Sequence, residues 1–239
     1  MTKTKIDILS ITYKFIKTIM TLTILICVHS TNDFHDMLLD KSILSLVNQT
    51  YKNFKTVIVL DECWSKTNEM IVSSNYELDL TILTRDKKEG LSYAKNYGLY
   101  HIDTEWVGFL DADDLYITTK LEEQVNYIKN NEVDFLGTKS WYINGLNEKD
   151  LYPSWYLNQE ETPFCESNED IKNKIFESNV LTHGSMMVRK ECINKLSGYQ
   201  DVRGMEDWDL WQRGISNNFI FHQLQNKLYI YRKGTSVPL

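Results

Sequence analysis

The chain has 239 residues, enough for one large domain or two small ones around a sizeable core. Hydrophobic residues make up 42% of it and charged residues 25%, an ordinary balance for a soluble globular protein. The formal net charge of −7 argues against a broad nucleic-acid footprint, which needs a basic surface, so no nucleic-acid partner is expected.

The N-terminal stretch MTKTKIDILSITYKFIKTIM is apolar and basic. Asp7, Lys14 and Lys17 interrupt it, so it offers no clean apolar span of the ~20 residues a membrane helix needs. The expectation for residues 1–20 is a short amphipathic helix packed on the domain. A weak peripheral contact with a membrane surface is the alternative, and Met20 is a candidate functional start. LTILICV (Leu22–Val28) then reads as a buried strand. A helix follows from Phe34 to Gln49, with Phe34, Met37, Leu38, Ile43, Leu44 and Val47 on its apolar face. KTVIVLD (Lys55–Asp61) is a second strand and DLTILT (Asp79–Thr84) a third. A helix is expected from Leu91 to about Ile102, and EWVGFLD (Glu105–Asp111) is the fourth strand.

Thr119 and Glu122 have the spacing of a capping box before a helix carrying Leu121, Val125 and Ile128. VDFLG (Val133–Gly137) is a fifth strand. From about Lys139 to Asn179 the periodicity dissolves into a stretch rich in Trp, Tyr, Asn and Glu. GSMMVRK (Gly184–Lys190) reads as a strand. A last helix starts near Glu206, with Trp208, Trp211 and Ile215 inward, and FIFHQLQNKLYIYRK (Phe219–Lys233) reads as a β-hairpin. This β-α-β-α rhythm with continuous apolar strands predicts an α/β fold with a mostly parallel sheet covered by helices.

The four cysteines, Cys27, Cys63, Cys165 and Cys192, form no CxxC pair. A disulfide framework or zinc site is not expected, and reduced thiols in the cytoplasm are. Asn48-Gln49-Thr50 fits the short N-glycosylation pattern, but nothing else points to secretion.

GFLDADDLY (Gly108–Tyr116) drops from an apolar run into Asp111, Asp113 and Asp114. Like charges this close repel unless a cation or solvent relieves them. In open α/β sheets ligands bind beyond the carboxyl ends of the strands, where Asp61 and Asp111 both fall. In extended chain, Asp111 and Asp113 would point the same way. Two such oxygen donors suit Mn²⁺ or Mg²⁺. The plainer reading is an acidic turn capping the next helix, for which Asp114 alone suffices. Other nucleotide and phosphate chemistries lack their context. CVHSTND stands where a Rossmann GxGxxG would be, no GxxxxGK[ST] occurs, and a haloacid-dehalogenase-type DxD would follow the first strand.

LTILICVHSTND, SLVNQTYKNFKTVIVLDE, EGLSYAKNYGL, WVGFLDADDLY and MEDWDLW, in this order, resemble the glycosyltransferase family 2 domain with the GT-A fold. The resemblance runs from about Leu22 to Tyr231. It implies a single GT-A domain over residues 21–239, with a nucleotide-binding part at about 21–138 and an acceptor-binding part at about 139–239. A small antiparallel acceptor-side portion would adjoin the main sheet. It also implies a nucleotide-sugar donor, most often UDP-linked, a Mn²⁺ or Mg²⁺ ion, and inversion at the anomeric carbon. The acceptor would be a glycan, glycolipid or protein hydroxyl.

Carried over by position, Asp61 would bind the nucleobase and Lys95 help to hold the nucleotide. Asp111 and Ala112 would lie against the donor. Asp111 and Asp113 would hold the metal, and Asp207 would be the catalytic base. Cys27-Val28-His29-Ser30 stands where the family often has Pro-Thr-Tyr-Asn; by the resemblance Cys27 and His29 would line the nucleotide pocket, and the departure leaves the base identity open. YRKGTSV lacks a His that many members carry there. His183, Glu206 and Trp208 are candidates for the acceptor side.

Each residue also has a plainer reading. Asp207 would be a first-turn acid favoured by the helix dipole, Lys95 a solvated helix lysine and His183 a hydrogen-bonded structural residue. Trp141, Trp155, Trp208 and Trp211 could stack on a sugar, with core the default for the last two. Two rival functions stand beside the transferase. One is a catalytically silent nucleotide- or glycan-binding module. The other is a sugar nucleotidyltransferase, which would want a Gly-rich basic loop where this chain has STNDFHD.

Overall fold

The computed structural model describes residues 20–85, 89–144, 165, 167–202 and 204–234. The expected N-terminal helix and Trp155 lie outside them. Strand β1 (Leu22–Val28) leads to helix α1 (Asp33–Val47), β2 (Lys55–Asp61), α2 (Ser65–Ser73) and β3 (Asp79–Arg85). Then come α3 (Leu91–Tyr100), β4 (Trp106–Phe109), the short β5 (Leu115–Tyr116) and α4 (Lys120–Asn130). The chain continues through β6 (Phe135–Asn144), α5 (Asn168–Lys174), a 3-10 turn at His183–Ser185, β7 (Met187–Arg189), α6 (Lys190–Lys195), α7 (Glu206–Ser216) and β8 (Phe221–Lys233).

The strands form one sheet in the order β3-β2-β1-β4-β7-β6-β8-β5. Pairing is parallel from β3 through β4 and between β6 and β8, and antiparallel on both sides of β7 and at β5. Strand β1 shows why its apolar run is continuous: it is buried on both faces. Leu22, Ile24, Ile26 and Val28 pack with Leu39, Ile43 and Leu46 of α1, while Leu25 packs on the other face with Ala94 and Leu99 of α3. Helix α1 begins where Asn32 accepts a hydrogen bond from the His35 amide at 2.9 Å, an N-cap that satisfies a donor the helix cannot.

Four expectations are corrected. Phe219–Lys233 is no hairpin. Its strand β8 runs parallel to β6, and Gln225-Asn226-Lys227 lies at a shift of register, with Thr138 opposite Leu224 and Lys139 opposite Lys227. The Gly184–Lys190 strand shrinks to Met187–Arg189, because Ser185 and Met186 donate back to the carbonyls of Thr182 and His183 and Lys190 opens a helix. The capping box does not form. The Thr119 hydroxyl donates to Glu123 at 2.7 Å, and Glu122 accepts from Thr50 at 2.8 Å. The fifth strand extends to Asn144, into the stretch read as aperiodic, and α2, α5 and α6 were not anticipated.

Candidate active site

A cleft of about 630 Å³ lies beyond the carboxyl ends of β1 and β4, lined by Cys27, His29, Lys95, Asp111, Ala112, Asp113, His183, Glu206 and Asp207 among others. Nine of the residues singled out in the sequence therefore share one cavity. Asp61 and Trp208 are not in its lining.

The acidic segment is a turn, which corrects the extended geometry expected for it: the Asp114 amide donates to the Asp111 carbonyl at 3.1 Å. The Ser42 hydroxyl, on α1, lies 2.9 Å from the Asp111 carbonyl and 2.8 Å from that of Asp114, clamping the turn from below. The three acids then separate. Asp114 points inward and is buried, accepting from the Tyr229 hydroxyl and the Arg232 amide, each at 2.6 Å. It caps no helix but pins β8 to the turn. Burial, with the charges of Asp113 and Asp111 adding to it, pushes its carboxyl well above the usual range. Asp111 and Asp113 face the cleft.

Asp111 is approached by side chains from the C-terminal half of the chain. His183 Nδ1 lies 3.6 Å from its Oδ1, and the Tyr229 hydroxyl 3.3 Å from its Oδ2. Burial raises the Asp111 carboxyl, but the nearby His183 ring, then the Lys95 charge and the Tyr229 hydroxyl, outweigh it and leave the group below its ordinary value. The buried His183 ring packs on Phe109 with centroids 4.5 Å apart, and its Nε2 lies 2.9 Å from the Tyr199 hydroxyl. Tyr199 is in turn clasped by Asn96 of α3, whose side chain accepts from its amide at 2.9 Å and donates to its carbonyl at 2.8 Å.

At the start of α7 the adjacent acids take different partners. Glu206 receives the Lys95 ammonium at 2.7 Å, both side chains buried. Burial raises the Glu206 carboxyl, but the Lys95 charge overrides it and holds the group below its usual value. Asp207 accepts from Asn179 Nδ2 at 3.0 Å and from the Trp208 amide at 2.7 Å. Trp208 donates its indole N–H to the Ile175 carbonyl and packs against the core, and Trp211 is fully buried. Trp141 lies under the Lys227 ammonium, 4.1 Å from its ring centroid.

Asp61 is buried with Arg85 3.4 Å away, and its carbonyl accepts from His29 Nδ1 at 2.8 Å, joining the ends of β1 and β2. Burial pushes the Cys27 thiol up to about 12, so it lines the cleft as a neutral group. Sequence reasoning missed Arg85, Asn179, Tyr199 and Tyr229. Each matters through a contact with a residue far off in the chain, and no local pattern marks it.

Lys95 and Glu206 compensate each other and Asp114 is turned into the fold, which leaves Asp111, Asp113 and Asp207 in the cleft against Arg232. An anionic diphosphate would meet repulsion there unless a cation came with it. Asp111 and Asp113 are the hard oxygen donors suited to one. Among the described residues no group of three or more His, Cys, Asp or Glu side chains is disposed to hold a metal ion. The residues fit an ion held by one or two carboxylates and completed by substrate phosphates and water, rather than an all-protein cage. Also among the described residues, no helix is long and apolar enough to cross a membrane.

The family model described as "Glycosyl transferase family 2" matches residues 23–197. The chain is 30% identical over 199 residues to the uncharacterized glycosyltransferase MJ1057 of Methanocaldococcus jannaschii, covering 81% of this chain and 65% of that protein. It is 28% identical over 203 residues to the O-antigen biosynthesis glycosyltransferase WbnJ of Escherichia coli, covering 83% of this chain and 75% of WbnJ. The fold is similar to that of S. aureus TarS 1-349 in complex with UDP-GlcNAc, with a TM-score of 0.70 at 17% identity over 91% of this chain. The chain spans 60% of that TarS chain and just under two thirds of the archaeal relative.

Proposed function

The chain belongs to glycosyltransferase family 2, an enzyme of GT-A fold, and from that premise we propose that it moves a sugar from a UDP-sugar to an acceptor hydroxyl, with inversion at the anomeric carbon and with a divalent cation. The observation that carries this reading is the meeting, in one cleft, of the Asp111–Asp113 turn and Asp207. The two ends of a displacement need these two things: charge compensation at the leaving group, and a base at the nucleophile.

Asp113 and Asp111 would hold Mn²⁺ or Mg²⁺. When bound, the ion supplies positive charge against the negative charge that builds on the leaving diphosphate. The remaining roles fall to the chain. His29, at the end of β1, lines the part of the cleft suited to the nucleobase, and Asp61, beside Arg85 and behind the lining, holds the His29 ring through its carbonyl. Asp207 takes the proton of the acceptor hydroxyl as its oxygen bonds to the anomeric carbon, and the carbon–oxygen bond to the diphosphate breaks with its electron pair on the diphosphate. Asp207 sits in the first turn of α7, where the helix dipole favours a carboxylate. Lys95 is tied to Glu206, so the reading makes it a wall of the donor site that also shapes the acceptor site.

WbnJ is named for O-antigen biosynthesis, which supports a growing or lipid-linked saccharide as acceptor. A cytoplasmic setting, with peripheral membrane contact through residues 1–20, belongs to the same proposal. A thermal-shift screen with UDP-GlcNAc, UDP-glucose, UDP-galactose and GDP-mannose, with and without Mn²⁺, tests the donor side, because a ligand that binds the native state raises its melting temperature. One UDP-sugar should raise it in Mn²⁺ and much less without. No response to any UDP-sugar, or a response to GDP-mannose alone, would reject the UDP assignment.

A further inference from the structure

Asn179 lies between α5 and the His183–Ser185 turn and lines the same cleft as Asp207. Its Oδ1 accepts from the Leu181 amide at 3.3 Å, and its Nδ2 donates to Asp207 Oδ2 at 3.0 Å. A backbone N–H only donates, so Oδ1 must face Leu181. That choice fixes which end of the amide Asp207 sees. Val180 and Leu181 are buried in the core, so the amide is presented from an anchored segment. The other Asp207 oxygen, Oδ1, accepts from the Trp208 amide at 2.7 Å. Each carboxylate oxygen is thus held by one donor and keeps a lone pair for another.

The neighbouring acid makes the contrast. Glu206 is given an ammonium, a partner that strongly favours its ionised form and ties up its oxygen. Asp207 is given a neutral amide, which orients a carboxylate without neutralising it. A base has to present its lone pair to the acceptor hydroxyl within a narrow angle, and free rotation about the side chain would spread that presentation. We infer that Asn179 is the positioning residue for Asp207, holding its carboxylate in the orientation that receives the acceptor proton. This rests on the reading of Asp207 as the base.

The test is Asn179→Asp. It keeps the shape and the oxygen that Leu181 needs, and replaces only the donor facing Asp207 with a second carboxylate. Release of UDP or GDP from the same four nucleotide sugars, with Mn²⁺, gives kcat and KM for the donor that the wild type uses. The expected result is a loss in kcat of about 100-fold, with donor KM changed less than about twofold and the melting temperature near wild type. Asn179→Ala should show the same split if the aspartate variant folds poorly. A crystal structure of Asn179→Asp should show the Asp207 carboxylate turned from its wild-type orientation. An unchanged kcat, a loss confined to KM, or an unmoved Asp207 overturns the inference. Asp207→Asn is run beside it. If that variant turns over normally, the base reading fails and takes this inference with it; if it is inactive while Asn179→Asp is normal, only the role of Asn179 fails.

Discussion

Lys95 of α3 and Glu206 of α7 form a buried ion pair, 2.7 Å from nitrogen to oxygen, that joins the two helices across 111 positions of sequence. Removing one partner leaves a charge without compensation, which costs about 3 kcal/mol at a buried site. Lys95→Met should therefore lose about that much stability in urea unfolding, and the double variant Lys95→Met/Glu206→Met should regain most of it. Equal losses in the single and double variants would show that the pair is not what holds the two helices.

Gly184 sits where no side chain fits. A Cβ there would lie 1.8 Å from the Tyr229 hydroxyl, which donates to Asp114 and reaches Asp111. Gly184→Ala must displace that ring, and overpacking of this kind costs about 1–3 kcal/mol. The loss should appear in urea unfolding together with weaker Mn²⁺-dependent UDP binding, because the acidic turn loses its anchor. Unaltered stability and binding would mean that Tyr229 yields without consequence.

Lys120 is fully buried at the start of α4, its ammonium 2.7 Å from Gln124 Oε1 and 3.9 Å from the centre of the Tyr116 ring. Burial pushes its pKa well below the usual 10.5. In the window between the folded value and 10.5 the unfolded chain holds a proton that the folded chain lacks, so stability rises with pH there. Tyr116, Tyr199 and Tyr229, all raised by burial, act in the opposite sense and only above about pH 10. Lys120→Met should gain about 1–3 kcal/mol where the buried amine is unfavourable and lose the rise of stability with pH below 10.5. Parallel stability–pH curves for the variant and the wild type would contradict this.

The parts of the fold written in local pattern were legible. Leu22–Val28 and Lys55–Asp61 match the structure to the residue, because a doubly buried parallel strand needs an unbroken apolar run. What failed depended on distant partners. Phe219–Lys233 looks like a hairpin until β6 lies beside it. Asp114 looks like a cap for the next helix until Tyr229 and Arg232 claim it. The site was legible as far as the family resemblance marks positions, which brought Asp111, Asp113 and Asp207 to one cleft. The resemblance could not show that Lys95 and Glu206 are bound to each other, nor that Asn179 reaches Asp207.

Asp113 faces the cleft while Asp114 serves the fold, so the two adjacent acids should respond differently to substitution. Asp113→Asn should keep the wild-type melting temperature and lose most of the Mn²⁺-dependent part of UDP binding, about tenfold or more in affinity by calorimetry. UDP binding that keeps its Mn²⁺ dependence would move the cation away from the acidic turn.

As the proposed base, Asp207 accepts the acceptor's proton and takes no part in gripping the donor. Asp207→Asn, assayed for nucleotide release with the donor found by thermal shift and titrated calorimetrically with that donor's nucleoside diphosphate and Mn²⁺, separates the two. Binding should stay within about twofold of wild type while turnover falls by about 10²- to 10⁴-fold. Weakened binding with normal turnover would contradict that role.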